Sequence, residues 1–164
     1  MFGLKKKKPE LFTVVSPLTG KLISLDQVHD EVFSSKMMGD GFAIEPTSAS
    51  NTVISPISGK IVALVESKHA VGIKNEATGI EILIHIGLDT VKLNGEGFDV
   101  LVRMDQEVKQ GQPLIKFEQQ VLKDHDLELT TMVIFTGGLN DAIDLGAKND
   151  TDIHAGDLIL RQVE

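Results

Sequence analysis

The chain has 164 residues, 41% of them hydrophobic and 24% charged, and carries a net charge of −8. That is enough chain for one globular domain with a real core, and no apolar run is long enough for a membrane span or a secretory signal. Without cysteine there is no disulfide and no reactive thiolate, which suits a cytoplasmic protein, and an acidic body without Trp or Tyr offers nucleic acid neither charge nor stacking platforms.

Residues 1–10 hold the run Lys5 to Lys8 closed by Pro9. A flexible basic tail is expected there, ahead of a domain spanning 11–164. A weak membrane-surface contact through Phe2, Leu4 and the lysines is the alternative use of the tail.

An internal repeat follows. Thr13–Leu25 (TVVSPLTGKLISL) aligns with Thr52–Leu64 (TVISPISGKIVAL), and seven of the thirteen positions are identical. Each copy reads as a strand, a Ser-Pro turn closed by glycine, and a second strand. A second related pair, Val108–Lys116 and Ile153–Arg161, sets a glycine turn before an apolar strand. Two related halves built of hairpins predict an all-β protein, an antiparallel sandwich or barrel with internal duplication. One short helical turn is expected at 31–36, inside the irregular stretch 25–41, and a second at 119–126. Residues 134–146 read as a strand, a Gly-Gly turn and a polar connection.

The chemistry lies between Val65 and Phe98. Ile80, Ile82, Ile84 and Ile86 alternate onto one face of a strand, which pushes Leu83 and His85 onto the other. Gly87 leaves the backbone beside that imidazole bare, open to close approach from outside. His69 precedes on the neighbouring strand, across the polar run Lys74–Gly79. Counting back from a turn centred near Glu76–Ala77 sets His69 roughly opposite His85. Alternation, however, puts His69 on the same face as Val71 and Ile73. It therefore lies either at the strand start, where alternation does not bind, or on an exposed apolar face.

Two histidines supply only two of the three or four ligands that zinc needs, and no HExxH, HxH or cysteine cluster is present. No G-x-S-x-G supports a serine hydrolase, and the G-D-G and G-E-G triplets are too short for a nucleotide loop. A nucleophilic histidine fits better. Neutral imidazole takes a phosphoryl group covalently, a second imidazole donates N–H bonds to the phosphoryl oxygens, and the Ser67 hydroxyl would hold the other nitrogen of His69. No cofactor is required. A lipoyl- or biotinyl-type carrier lacks its modifiable lysine turn here, and a zinc hydrolase on a similar β-fold lacks HxH.

At these residues the chain resembles the glucose-family IIA component of the bacterial phosphoenolpyruvate-dependent sugar phosphotransferase system. The matching stretches are Ser16-Pro17…Gly20, Val32-Phe33…Lys36–Gly41, Ser55-Pro56…Gly59, Lys68-His69-Ala70, His85–Val91 (HIGLDTV) and Gly95–Phe98 (GEGF). The resemblance implies a duplicated hybrid motif and a phosphocarrier that takes phosphate from the phosphohistidine of HPr and delivers it to a IIB-domain cysteine. His85 matches the histidine phosphorylated on Nε2, and His69 its partner. Val32, Phe33, Met37, Met38, Val65, Leu83 and Val91 would form an apolar docking dish, with Asp30 and Asp89 as acids on its rim. On this view the face carrying His69 is itself functional apolar surface. Regulatory targets are a further implied class of partner, and the histidine pair could supply two ligands of an intermolecular zinc site. The lysine-rich start suggests that the domain opens a chain and is not the trailing end of a permease. Two departures stand out: Ser67 replaces a usual threonine, and His29 replaces a usual proline, which would loosen its loop.

Overall fold

The computed structural model describes residues 10–163, with side chains over 12–162; the lysine run expected as a tail lies outside the described residues. In chain order the first repeat gives β1 (Glu10–Val15) and β2 (Gly20–Ser24), then a short helix α1 (Glu31–Ser34) and β3 (Gly41–Pro46). The second gives β4 (Thr52–Ile54), β5 (Gly59–Leu64) and β6 (Ala70–Lys74), followed by β7 (Glu81–Ile86) and β8 (Phe98–Val100). The remainder supplies β9 (Glu107–Val108), β10 (Pro113–Phe117), helix α2 (Gln119–Asp124), β11 (Thr131–Gly137), β12 (Thr151–Ile153) and β13 (Leu158–Val163).

The repeat dictates how these pair. In each Ser-Pro turn the serine hydroxyl donates to the carbonyl two residues on, Ser16 to Leu18 and Ser55 to Ile57, both at 2.6 Å. Each repeat then engages one of the later glycine-turn segments. Strand β1 pairs with β13 and β2 with β12; β4 pairs with β10 and β5 with β9. The Ser16 N–H donates to the Asp157 carbonyl and the Ser55 N–H to that of Gln112, both at 2.8 Å. The two halves also bond each other reciprocally, Val15 N–H to Pro56 and Ile54 N–H to Pro17, both at 3.0 Å. These matched contacts are a pseudo-twofold relation, and the all-β, duplicated antiparallel architecture is as the repeat predicts; the expected hairpin within each repeat is not formed, because the Ser-Pro turn sends its two strands into different sheets.

The large sheet runs β12-β2-β3-β11-β7-β6-β5-β9, so the repeat-derived hairpins β2–β3 and β5–β6 flank a central pair, β11 and β7. Its inner face carries Leu22, Phe42, Ile61, Ile73, Ile82, Ile84 and Val133 into the main core. Its outer face is not left to solvent. Ile23, Ala43, Met132 and Ile134 pack there with Leu25, Val28, Phe33 and Leu88 as a second, smaller core, and Leu83 joins its edge. Leu25, Val28 and Phe33 thus bring the segment after β2 over part of the outer face, and Phe33 reaches the His85 ring.

Candidate functional site

Strand β7 has the predicted period: Ile82, Ile84 and Ile86 are fully buried, and His85 points to the outer face. His85 pairs with Ala70 of β6 and Met132 of β11. His69 is therefore one residue off the counted register, because Lys74 pairs with Glu81 and the turn is centred between Ala77 and Thr78. His69 also lies just before β6, after Lys68 in a left-handed conformation (φ 66°), and its carbonyl accepts from the Ile86 N–H at 2.8 Å. Alternation does not extend to it. Val71 and Ile73 are fully buried in the main core, so the strand-start explanation holds and the expected apolar surface on that face is absent.

The two imidazole rings meet edge-on, with centroids 4.7 Å apart and an interplanar angle of 77°. Nδ1 of His85 lies 2.8 Å from the Gly87 carbonyl oxygen. A carbonyl only accepts, so Nδ1 carries the proton and donates, and in the neutral ring the lone pair sits on Nε2. His85 is half-buried and keeps contact with solvent, whereas His69 is only 6% exposed. Burial lowers the His85 pKa to about 4; the charge of His69 adds to this, and the Gly87 carbonyl, Asp30 and Asp89 act in the opposite direction. Burial also lowers the pKa of His69, opposed by the Ser67 backbone. Both rings are neutral at pH 7. Nδ1 of His69 is covered and has no hydrogen-bond partner, so the hydroxyl bond expected from Ser67 is not made there.

Val32, Met37, Met38, Val65 and Val91 are exposed apolar side chains, and Leu83 is half-buried. Asp89 is exposed, whereas Asp30 is half-buried and caps α1, its carboxylate accepting from the Val32 N–H at 2.9 Å.

A family model for the phosphoenolpyruvate-dependent sugar phosphotransferase system, EIIA 1, matches residues 12–140. The chain belongs to that family. It is a phosphotransferase component, a phosphocarrier of a sugar phosphotransferase system. It is 46% identical over 136 residues to the glucose-specific EIIA component of Bacillus cereus, covering 83% of this chain and 80% of that protein. It is 49% identical over 124 residues to the glucosamine-specific EIICBA component of Bacillus subtilis, a match that covers 76% of this chain but only 19% of that protein's length. Among solved structures, glucose permease IIA from Mycoplasma capricolum superposes with a TM-score of 0.83 at 37% identity, over 98% of this chain and 99% of that one.

Set against this EIIA fold, three expectations change. Phe33 is not on the apolar patch: it is 6% exposed and packs inward in the smaller core. His29 does not loosen its loop, because its Nδ1 pairs with Glu128 at 2.8 Å and ties residues 25–38 to the segment before β11. Gly87 is buried and offers no bare backbone to solvent. Its role is to reach φ +73° and present its carbonyl to His85. A Cβ there would lie 2.6 Å from Thr90 Cγ2 and 2.9 Å from the Glu128 carbonyl oxygen. Gly87→Ala is therefore expected to cost about 2–5 kcal/mol of stability, from left-handed strain and overpacking together. Chemical denaturation measures this, and a loss under 1 kcal/mol (about the Gly-to-Ala gain or loss at an ordinary site) contradicts it.

Among the described residues no three His, Cys, Asp or Glu side chains converge as metal ligands would, and no helix is long and apolar enough to cross a membrane. Sequence reasoning missed Glu128, whose acceptor role has no local pattern to signal it. It also missed Met132, visible only as one apolar residue within the continuous run of β11.

Proposed function

We propose that His85 is the phosphoryl acceptor of this carrier, receiving the group from the phosphohistidine of HPr and passing it to a cysteine of a IIB domain in the cytoplasm. The observation that supports this best is the Nδ1–H bond to the Gly87 carbonyl, which aims a neutral ring with its lone pair on the free Nε2. The Nε2 lone pair attacks phosphorus as the donor's P–N bond breaks, and the bonding pair returns to the donor imidazole. In the second half-reaction a cysteine thiolate attacks phosphorus and the P–Nε2 pair returns to His85. His69, edge-on to the ring, would donate an N–H to the phosphoryl oxygens in both steps, a role its proximity supports. The names of the relatives, glucose- and glucosamine-specific, point to a hexose of that kind as the sugar served.

Incubation with phosphoenolpyruvate, Enzyme I and HPr, followed by intact mass, tests the reading: one acid-labile gain of ~80 Da is expected. No gain would refute it.

Docking is expected on the exposed apolar side chains around the pair. Leu83→Asp and Met38→Asp each put an unpaired charge into that interface, which typically costs several kcal/mol of binding. Uptake of phosphate from HPr should slow in both variants while the fold is kept. Stopped-flow or quench rates equal to wild type in both would place docking elsewhere.

A further inference from the structure

Helix α1 is a single turn of four residues, too short to persist by its own hydrogen bonds. It is held by its Asp30 cap and by the burial of Phe33. Successive helical residues point about 100° apart, so the turn presents Val32 to solvent and Phe33 to the protein. The Phe33 ring lies against the nucleophile itself, with centroids 4.9 Å apart and planes tilted by 56°, within the range of favourable aromatic pairs. The His85 ring therefore has aromatic neighbours in both Phe33 and His69, and its Nδ1 end is held by the Gly87 carbonyl. The free end is Nε2.

We propose that Phe33 is a positioning residue for His85: its ring fixes the plane of the imidazole and keeps water off it, so that seating of the 31–34 turn prepares the nucleophile. This rests on the reading of His85 as acceptor. It also links the exposed surface to the reaction centre, because Val32, on the patch, and Phe33, on the ring, share one turn. A partner pressing on Val32 presses on the wall of the nucleophile.

The charged and titratable groups facing His85 are His69 from the turn before β6, Asp30 from the start of α1, and Asp89 from the turn after β7. Burial dominates all of them and holds the ring neutral. Opening the Phe33 side admits water, which favours the imidazolium, and the two acids then favour it too. The titration must move up, toward the solvated value of about 6.5.

The test is the imidazole titration of His85 by NMR in Phe33→Leu and Phe33→Ala, run on the protein alone. It is paired with the acid limb of single-turnover phosphorylation from HPr. A midpoint near 4 is expected in wild type, higher in the leucine variant and higher again in the alanine variant. A fully solvated ring is only about one quarter neutral at pH 6, so transfer in Phe33→Ala should fall there, by up to about fourfold relative to its alkaline plateau, while wild type stays flat. A core residue without this role would lower stability and leave the midpoint where it is. If Phe33→Ala does not fold, Phe33→Leu decides. A folded leucine variant with wild-type midpoint and acid limb overturns the proposal. A shifted midpoint in the variants, with no adduct on the wild-type protein either, overturns instead the assignment of His85 as acceptor.

Discussion

Replacing His85 by alanine is expected to abolish the acid-labile ~80 Da adduct that phosphoenolpyruvate, Enzyme I and HPr produce on the wild-type chain. The other four histidines each lack part of the setting that supports His85 as acceptor. His69 is 6% exposed, too covered for an incoming phosphorus centre. His29 is engaged with Glu128 at 2.8 Å, and His154 lies 3.5 Å from Asp157; both are exposed, with no imidazole partner. His125 is exposed and donates from Nδ1 to the Val121 carbonyl of its own helix at 2.9 Å. His85 alone combines a fixed tautomer, a reachable Nε2 and a second ring 4.7 Å away. The substitution removes a partly exposed ring at the edge of the smaller core, so the fold should survive, and circular dichroism checks that. Intact mass reads the result directly. An adduct of unchanged yield in folded His85→Ala would mean that another residue is the acceptor.

His69→Gln should fail differently, lowering the rate of phosphorylation at His85 by ~10²–10³ without abolishing it, the usual cost of one lost preorganised donor. Glutamine keeps an amide N–H but loses the fixed ring that meets His85 at 77°. It also loses the capacity to become a cation as charge builds on the phosphoryl oxygens. At rest that capacity is unused, since burial lowers the His69 pKa and the ring is neutral at pH 7. An arriving phosphoryl group brings negative charge next to the ring and opposes that burial, so protonation becomes favourable only when transfer is under way. Onward transfer to the IIB cysteine should slow by at least as much, because the same charge develops in reverse. Single-turnover rates for both half-reactions measure this. Wild-type rates in both would make His69 a bystander.

Several features of this protein were legible in the residues alone. The two Ser-Pro repeats determine two equivalent strand–turn–strand corners, because the turn chemistry is local: a serine hydroxyl bonding two residues on needs nothing from the rest of the chain. The four alternating isoleucines determine which way β7 faces, and hence that His85 points away from the main core, because a pleated strand has no other way to bury them. The specific HIGLDTV and GEGF runs carried the family with them.

What only the tertiary structure decided are contacts between segments with no periodic relation. Alternation was carried one residue past the start of β6, where the backbone turns through a left-handed Lys68, and the face assigned to His69 was wrong for that reason. Gly87 looked like an opening because a missing side chain says nothing about which side it is missing from; the structure fills that side with Thr90 and Glu128. Phe33 and Val32 are adjacent and both apolar, and only the presence of a second core over the sheet separates their settings, one inward onto the His85 ring and one outward. His29 and Glu128 meet across 99 residues of sequence. Local pattern reports the pleat and the turn, which a few neighbouring dihedrals determine. The closing of the segment after β2 over part of the outer face depends on every strand beneath it, and so does the environment that makes His85 neutral, aimed and reachable.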